Sequence, residues 1–290
     1  MMSLIQDQLG IKEPLPSVFL EGVLVNLGLT WGFFLLSCLV SPFFWGDLPQ
    51  EKKLLWHTTF VAMMQPFYLG YALWSEIVTA GKWWYENPFG DWFSYPPSEQ
   101  IWYGTGLSCG FMAMDSMAMA IWPRQLMKAL RKSMYIQMWV HHVFSLIFWP
   151  YALSAHRAAI PIAYFVLTEI SNPCVNFRWL LENRPGWDTS VMYYTAGITM
   201  LLVFFVVRIL PMPWFLFHML RPSSYDGATW FQMVTLFLLG LIPFALNAFW
   251  FKLMVRKAFR VLSNVLKGSS RSEEKGKAET PEQAEMRKTK

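Results

Sequence analysis

MYIQMWVHHVFSLIFWPYAL, residues Met134 to Leu153, is the stretch on which the reading of this chain turns. A run of this length, apolar almost throughout, matches the hydrocarbon core of a bilayer when coiled as a helix of about 20 residues. Inside it stand two adjacent histidines, His141 and His142. Lipid offers an imidazole no hydrogen-bond partner, so two of them at this depth are costly unless the interior of a helix bundle uses them.

Six similar runs flank this one. The seven expected spans lie near 18–45, 54–74, 101–122, 135–153, 158–181, 190–210 and 229–251. The 290 residues are 54% hydrophobic, 18% aromatic and only 15% charged, which fits an all-α polytopic membrane bundle better than a soluble domain. Pro42, Pro123, Pro150, Pro185 with Gly186, and Pro211 with Pro213 are read as helix ends, whereas Pro66, Pro161, Pro173 and Pro243 fall inside spans and are expected to kink them.

The net charge of +5 sits in loops and a polar tail, so it reports orientation rather than affinity for nucleic acid, and no nucleic-acid partner is expected. Lys52, Lys53, Arg124, Lys128, Arg131, Lys132, Arg178, Arg184, Lys252, Arg256, Lys257 and Arg260 fall on one side. Lys12, Lys82, Arg157, Arg208 and Arg221 fall on the other. Because basic residues near span ends resist translocation, the richer side is expected to be cytosolic, with the N-terminus lumenal or extracellular and the C-terminus cytosolic.

Three parts are expected. Residues 1–47 carry the lumenal N-terminus and a first helix, too long in its apolar run to be a cleavable signal core. Residues 48–262 form the membrane domain, and 263–290 a charged, disordered cytosolic tail. Ser75 to Gln100, rich in Trp, Tyr and Pro, reads as an interfacial cap on the non-cytosolic side, or as an ordered loop without a ligand. Cys38, Cys109 and Cys174 each lie in an apolar run and form no CxxC pair, so neither a disulfide framework nor a zinc site is expected. The final Arg287, Lys288, Thr289 and Lys290 resemble a dibasic retrieval signal of the endoplasmic reticulum, with a coat protein as its reader; a chance basic end of a Lys-rich tail is the alternative.

Polar residues within spans are the candidates for function. Asp115 lies about seven residues from the cytosolic end of the third span and His141 and His142 about seven from the cytosolic start of the fourth. All three therefore sit about 10 Å deep and can meet. Glu169, Asn172 and Asn176 share one face of the fifth span. His57 lies near the start of the second, Ser145 one turn beyond His141, and Arg178 near the cytosolic boundary.

The chemistry this set suits is acyl transfer. His141 or His142 takes a proton, Asp115 fixes the tautomer, and Glu169, Asn172, Asn176, Arg178, His57 and Ser145 bind substrate. Covalent carriage of the acyl group on a histidine is a variant of that scheme. No bound cofactor is expected, with acyl-CoA as co-substrate and a membrane lipid or acyl chain as partner.

Each residue also has a structural reading. Adjacent histidines project about 100° apart, so only one need face a reacting centre. Glu169 can pair with a basic residue of a neighbouring helix, Arg178 and His57 can anchor at the interface, and the asparagines can bond helix to helix. A metal site would need Asp115, Glu169 and His57 to gather around the histidines from separate helices. A transporter reading lacks paired Gly-rich broken helices.

Five blocks in order carry a resemblance. LLWHTTF holds His57, GFMAMD ends in Asp115, QMWVHHVFSLIF holds the histidines, TEISNPCVNFRWLL runs from Thr168 to Leu181, and FFVVRILPMP surrounds Arg208. From about Gln50 to Arg260 the chain resembles the TLC-domain membrane proteins, which include the ceramide synthases. Glu169, Ser171, Pro173, Asn176 and Arg178 are similar to the TLCD-like branch. The His-Asp-x-x-Asp element of the synthases has no counterpart here.

The resemblance implies a six-helix core after one N-terminal helix, a lipid-sized cavity, residence in the endoplasmic reticulum or another membrane, and a role in membrane lipid homeostasis, within sphingolipid or phospholipid metabolism. Two functions stay open: an acyl-CoA-dependent lipid acyltransferase, or a non-catalytic protein that binds lipid, organises membrane or escorts cargo.

Overall fold

Ser98 ends an extended segment, and its hydroxyl accepts the Ile101 N–H at 3.2 Å, starting a helix in the way N-capping serines do. Ser190 does the same for Tyr193 N–H at 3.1 Å. In the computed structural model, residues 8–45, 48, 50–74, 93–184 and 186–278 are described, and among them helices and turns account for the regular structure, with no strand. The all-helical expectation holds.

The helices are α1 (Ser17–Trp45), α2 (Gln50–Trp74), α3 (Glu99–Ile121), the short α4 (Pro123–Leu130), α5 (Lys132–Ser154), α6 (Ala159–Leu167), α7 (Asn172–Glu182), α8 (Val191–Phe204), α9 (Met212–Leu220) and α10 (Trp230–Ala278). A 3-10 turn, Thr168–Ser171, joins α6 to α7, and a π turn, Phe205–Ile209, follows α8. All seven expected spans are therefore helical. Among the described residues, three stretches are long and apolar enough to cross a bilayer: Ser17–Phe43, Val191–Leu220 and Trp230–Val261. Two units divide the chain, Met1–Asn247 and Ala248–Lys290; in the second, the described part is helix to Ala278.

Several boundaries differ from the sequence reading. α1 continues through Pro42 to Trp45 and α5 through Pro150 to Ser154, because within a bundle neighbouring groups tolerate the hydrogen bond a proline forfeits. The fifth span breaks in two. Pro173 has no N–H to offer Glu169 O, so Asn172 N–H takes that carbonyl instead and tightens the chain into the 3-10 turn.

The sixth span runs on past Pro211. The Val207 carbonyl, which Pro211 cannot serve, accepts the Tyr164 hydroxyl, while Leu210 N–H reaches back five residues to Phe205 O at 2.8 Å. Pro213 is tolerated because it falls in the first turn of α9. The charged segment after 263 begins as helix; residues 279–290, with the dibasic end, and residues 75–92 of the aromatic loop lie outside the described residues.

α1 packs on α3 through small residues. A Cβ added to Gly22 would lie 2.6 Å from Tyr103 O, and one added to Gly110 would lie 2.5 Å from Val23 O. Gly106 faces the Phe19 carbonyl more tightly still. In lipid, where no hydrophobic effect draws helices together, such close backbone approach is a principal source of association. Asn26, fully buried at the same seam, donates to Leu107 O and accepts the Tyr68 hydroxyl at 2.6 Å. Gly106→Val is expected to lower stability by about 1–3 kcal/mol, read as an earlier thermal transition in detergent; an unchanged transition would mean α1 is only loosely held.

On its outer side α1 exposes Leu24, Leu39 and Phe43, a lipid-facing pattern. The interior lies on the opposite faces of α2, α3, α5 and α6, where Val61, Leu69, Met112, Leu153, Ile162 and Val166 are closed off almost entirely. The candidate residues sit in that interior.

Candidate functional site

Asp115 lies on α3 two turns before its end, and His142 lies ten residues into α5. Antiparallel helices joined through short α4 bring the two together. His142 Nδ1 stands 3.5 Å from Asp115 Oδ2, at ion-pair distance, with no hydrogen bond closing on Nδ1. The histidine is 1% exposed, and the edge of its ring meets Phe111 at 6.5 Å between centroids. Carboxylate and imidazole thus meet where α3 and α5 pack together.

His141 is half-buried, its ring 5.4 Å from that of His142 and tilted by 49°. His142 faces inward, and His141 projects about 100° from it around the helix. Ser145, one turn along α5 on the His142 face, is buried.

A second polar cluster centres on Arg208, in the π turn. Its Nε donates to Ser171 Oγ at 2.8 Å, Nη1 to Asn247 Oδ1 at 3.2 Å, and Nη2 to Thr168 O at 3.0 Å and Asn172 Oδ1 at 3.1 Å. Glu169 Oε1 lies 3.9 Å from Nη2, and Asn172 donates to the other carboxylate oxygen. Phe204 lies beneath the guanidinium, 5.2 Å from its ring centroid. The planar fork is satisfied on both sides, which is how a buried arginine is made tolerable.

Arg208 corrects the sequence reading: counted among boundary charges, it is instead 7% exposed and serves as the basic partner foreseen for Glu169. An arginine flanked by apolar residues on both sides, as in FFVVRIL, was the available signal. Thr168 and Asn247 joined the site unannounced, and Ser171, named only within the family block, serves as an arginine partner, because these roles depend on the 3-10 and π turns.

Other candidates lie apart from these contacts. His57 Nδ1 pairs with Ser37 Oγ of α1 at 2.9 Å, and its ring abuts Phe34. Arg178 bonds the Tyr193 hydroxyl, lies 4.8 Å over that ring and pairs with Glu182 at 3.5 Å, tying α7 to α8. These are helix-to-helix roles. Asn176 is half-buried on α7. Among the described residues, no group of three or more His, Cys, Asp or Glu is arranged to hold a metal ion, and Cys38, Cys109 and Cys174 are free thiols.

Chemically, the arrangement offers a sheltered imidazole with a carboxylate at Nδ1. With the proton on that nitrogen, Nε2 is the basic atom. The family model described as TLC domain matches residues 52–256, which contain the His142–Asp115 pair and the whole Arg208 cluster. The chain belongs to the TLC domain family. Among curated relatives, TLC domain-containing protein 4-B of Danio rerio is 25% identical over 266 residues, covering 85% of this chain and 92% of the relative.

TLC domain-containing protein 4-A of Xenopus laevis is 24% identical over 80% of this chain and 88% of its own, and TLC domain-containing protein 4 of Xenopus tropicalis is 24% identical over 85% and 93%. No solved structure matches. Family and apolar helices together make this TLC protein a membrane protein.

Proposed function

We propose that this TLC protein acts on membrane lipid by acyl transfer from acyl-CoA to a lipid amine or hydroxyl. The observation that carries the reading is the buried His142–Asp115 pair. In the proposed step, His142 Nε2 takes the proton of the acceptor as its nitrogen or oxygen attacks the thioester carbonyl. The new C–N or C–O bond forms, the C–S bond breaks, and the imidazolium returns the proton to the departing CoA sulfur.

Asp115 holds the tautomer, and the neighbouring His141, its ring 5.4 Å from that of His142, stabilises the oxyanion. Residence in the endoplasmic reticulum, a cytosolic C-terminus and coat-protein recognition of the tail belong to the same reading, supported by the distribution of basic residues and the dibasic end. A role in lipid homeostasis follows from the activity.

The second reading is a lipid-binding, membrane-organising or cargo-escort protein. Glu169 and Arg208, locked in a saturated network, favour it, since that half of the polar interior is occupied with structure. Purified protein in nanodiscs, given acyl-CoA and a total lipid extract, separates the two. Thiol release with a matching acylated lipid in the mass spectrum supports transfer. Co-purified lipid without thiol release overturns it.

A further inference from the structure

The His142–Asp115 contact fixes which way α3 faces. Counting back from Asp115, Met112, Ser108 and Thr105 lie on that same side, whereas Gly106, Gly110 and Met114, at four-residue spacing, lie on the side packed against α1. On the inward side the polar groups are orphaned. Thr105 Oγ1 and Ser108 Oγ have no hydrogen-bond partner although both residues are fully buried. The same holds for both amide atoms of Gln65 on α2 and Trp149 Nε1 on α5, while His142 Nδ1 has the Asp115 carboxylate at 3.5 Å but no hydrogen bond.

Register sets the height of each group along α3. Gly104 of α3 abuts Leu73 of α2, and Leu55 clusters with Met119, so the two helices run antiparallel. Gln65, eight residues before Leu73, is level with Met112, eight after Gly104. Likewise Tyr135 of α5 reaches Met119 O at 3.0 Å while His142 meets Asp115. Trp149, seven residues beyond His142, is therefore level with Ser108, seven before Asp115. The orphaned groups follow α3 from Asp115 to Thr105, about 15 Å at 1.5 Å per residue.

We propose that Thr105, Ser108, Trp149 and His142 bind a file of water molecules along the inner face of α3, leading away from the His142–Asp115 pair. Buried hydroxyls, amides and indole N–H groups are seldom left unpaired, and a water with two to four such neighbours is the smallest ligand that satisfies them. Ile101, Leu69 and Met112 between them are at most 1% exposed, so the helices are too close for a lipid headgroup. The file supplies the pair with hydrogen-bonded neighbours through which a proton moves along α3. It stands whether or not acyl transfer occurs.

Radiolytic hydroxyl-radical footprinting of the intact protein in nanodiscs tests this, since radicals formed from bound water oxidise adjacent sulfur. Met112 and Met114 are equally buried, at 1% and 0% exposure, yet face opposite sides. Met112 is expected to oxidise at least about tenfold faster than Met114, because only it lies on the face of α3 that carries the unpartnered Thr105 and Ser108 hydroxyls. Thr105→Val with Ser108→Val should bring Met112 down to the Met114 rate. Equal rates in the native chain, whether both slow or both fast, overturn the proposal without reference to the variant, and neither result bears on turnover.

Discussion

Arg208→Met is expected to destabilise the helix bundle by about 3–5 kcal/mol, because it strands a buried carboxylate and four other acceptors at once. Glu169 is as enclosed as the arginine, and the Thr168 carbonyl, Ser171, Asn172 and Asn247 all receive guanidinium N–H groups. Removing one partner of a buried ion pair costs more than replacing both. Arg208→Met combined with Glu169→Gln should therefore recover part of the loss.

Arg208→Lys keeps the charge, but a single ammonium cannot span Ser171 on one side and Asn247 on the other, so it should fall between wild type and methionine. Thermal unfolding in detergent reads all four proteins. At about 2–4 °C per kcal/mol for a chain of this size, the single methionine variant should lose about 10 °C. A shift of 1 °C or less would mean that the 3-10 and π turns hold without their arginine.

Helix identity was legible in the sequence because apolar run length is a direct physical requirement of the bilayer. Asp115 and His142 were legible for a related reason: in two antiparallel helices, equal counts from the shared end mean equal depth, and few polar residues compete for the same level. Arg208 was not legible by charge counting, which treats each arginine near a span end as an interface anchor. Its burial depends on two departures from α geometry, each caused by proline. Pro173 tightens the turn that aims Thr168 O and Ser171 at the guanidinium, and Pro211 frees the Val207 carbonyl for Tyr164.

His57 shows the opposite failure. It shares a polar character with the inner histidines, yet Ser37 of α1 claims its ring, a pairing that depends on which helix packs beside which. Run length says nothing about neighbours. Gly22, Gly106 and Gly110 carried that information, since small residues on one helix face mark where another backbone comes close.

If the His142–Asp115 pair performs acyl transfer, His142→Ala should cut thiol release from acyl-CoA by about 10²–10⁴-fold, the usual contribution of a positioned general base. Asp115→Asn should act nearly as strongly while changing little in volume. An amide at that position donates as readily as it accepts, so the Nδ1 atom is no longer held as N–H and Nε2 loses its claim to be the basic nitrogen. Because residues that act as one unit do not contribute additively, the double variant should be no slower than His142→Ala alone.

His141→Ala removes the ring beside them, and if that ring serves only the oxyanion its loss should be smaller, about 10²–10³-fold. The fold should survive Asp115→Asn, since the 3.5 Å approach closes no hydrogen bond whose loss would unfold the bundle. Thermal transitions within about 2 °C of wild type would confirm that lost turnover reports chemistry. Turnover that persists in both His142→Ala and Asp115→Asn would remove the pair from the reaction, whatever lipid the protein carries.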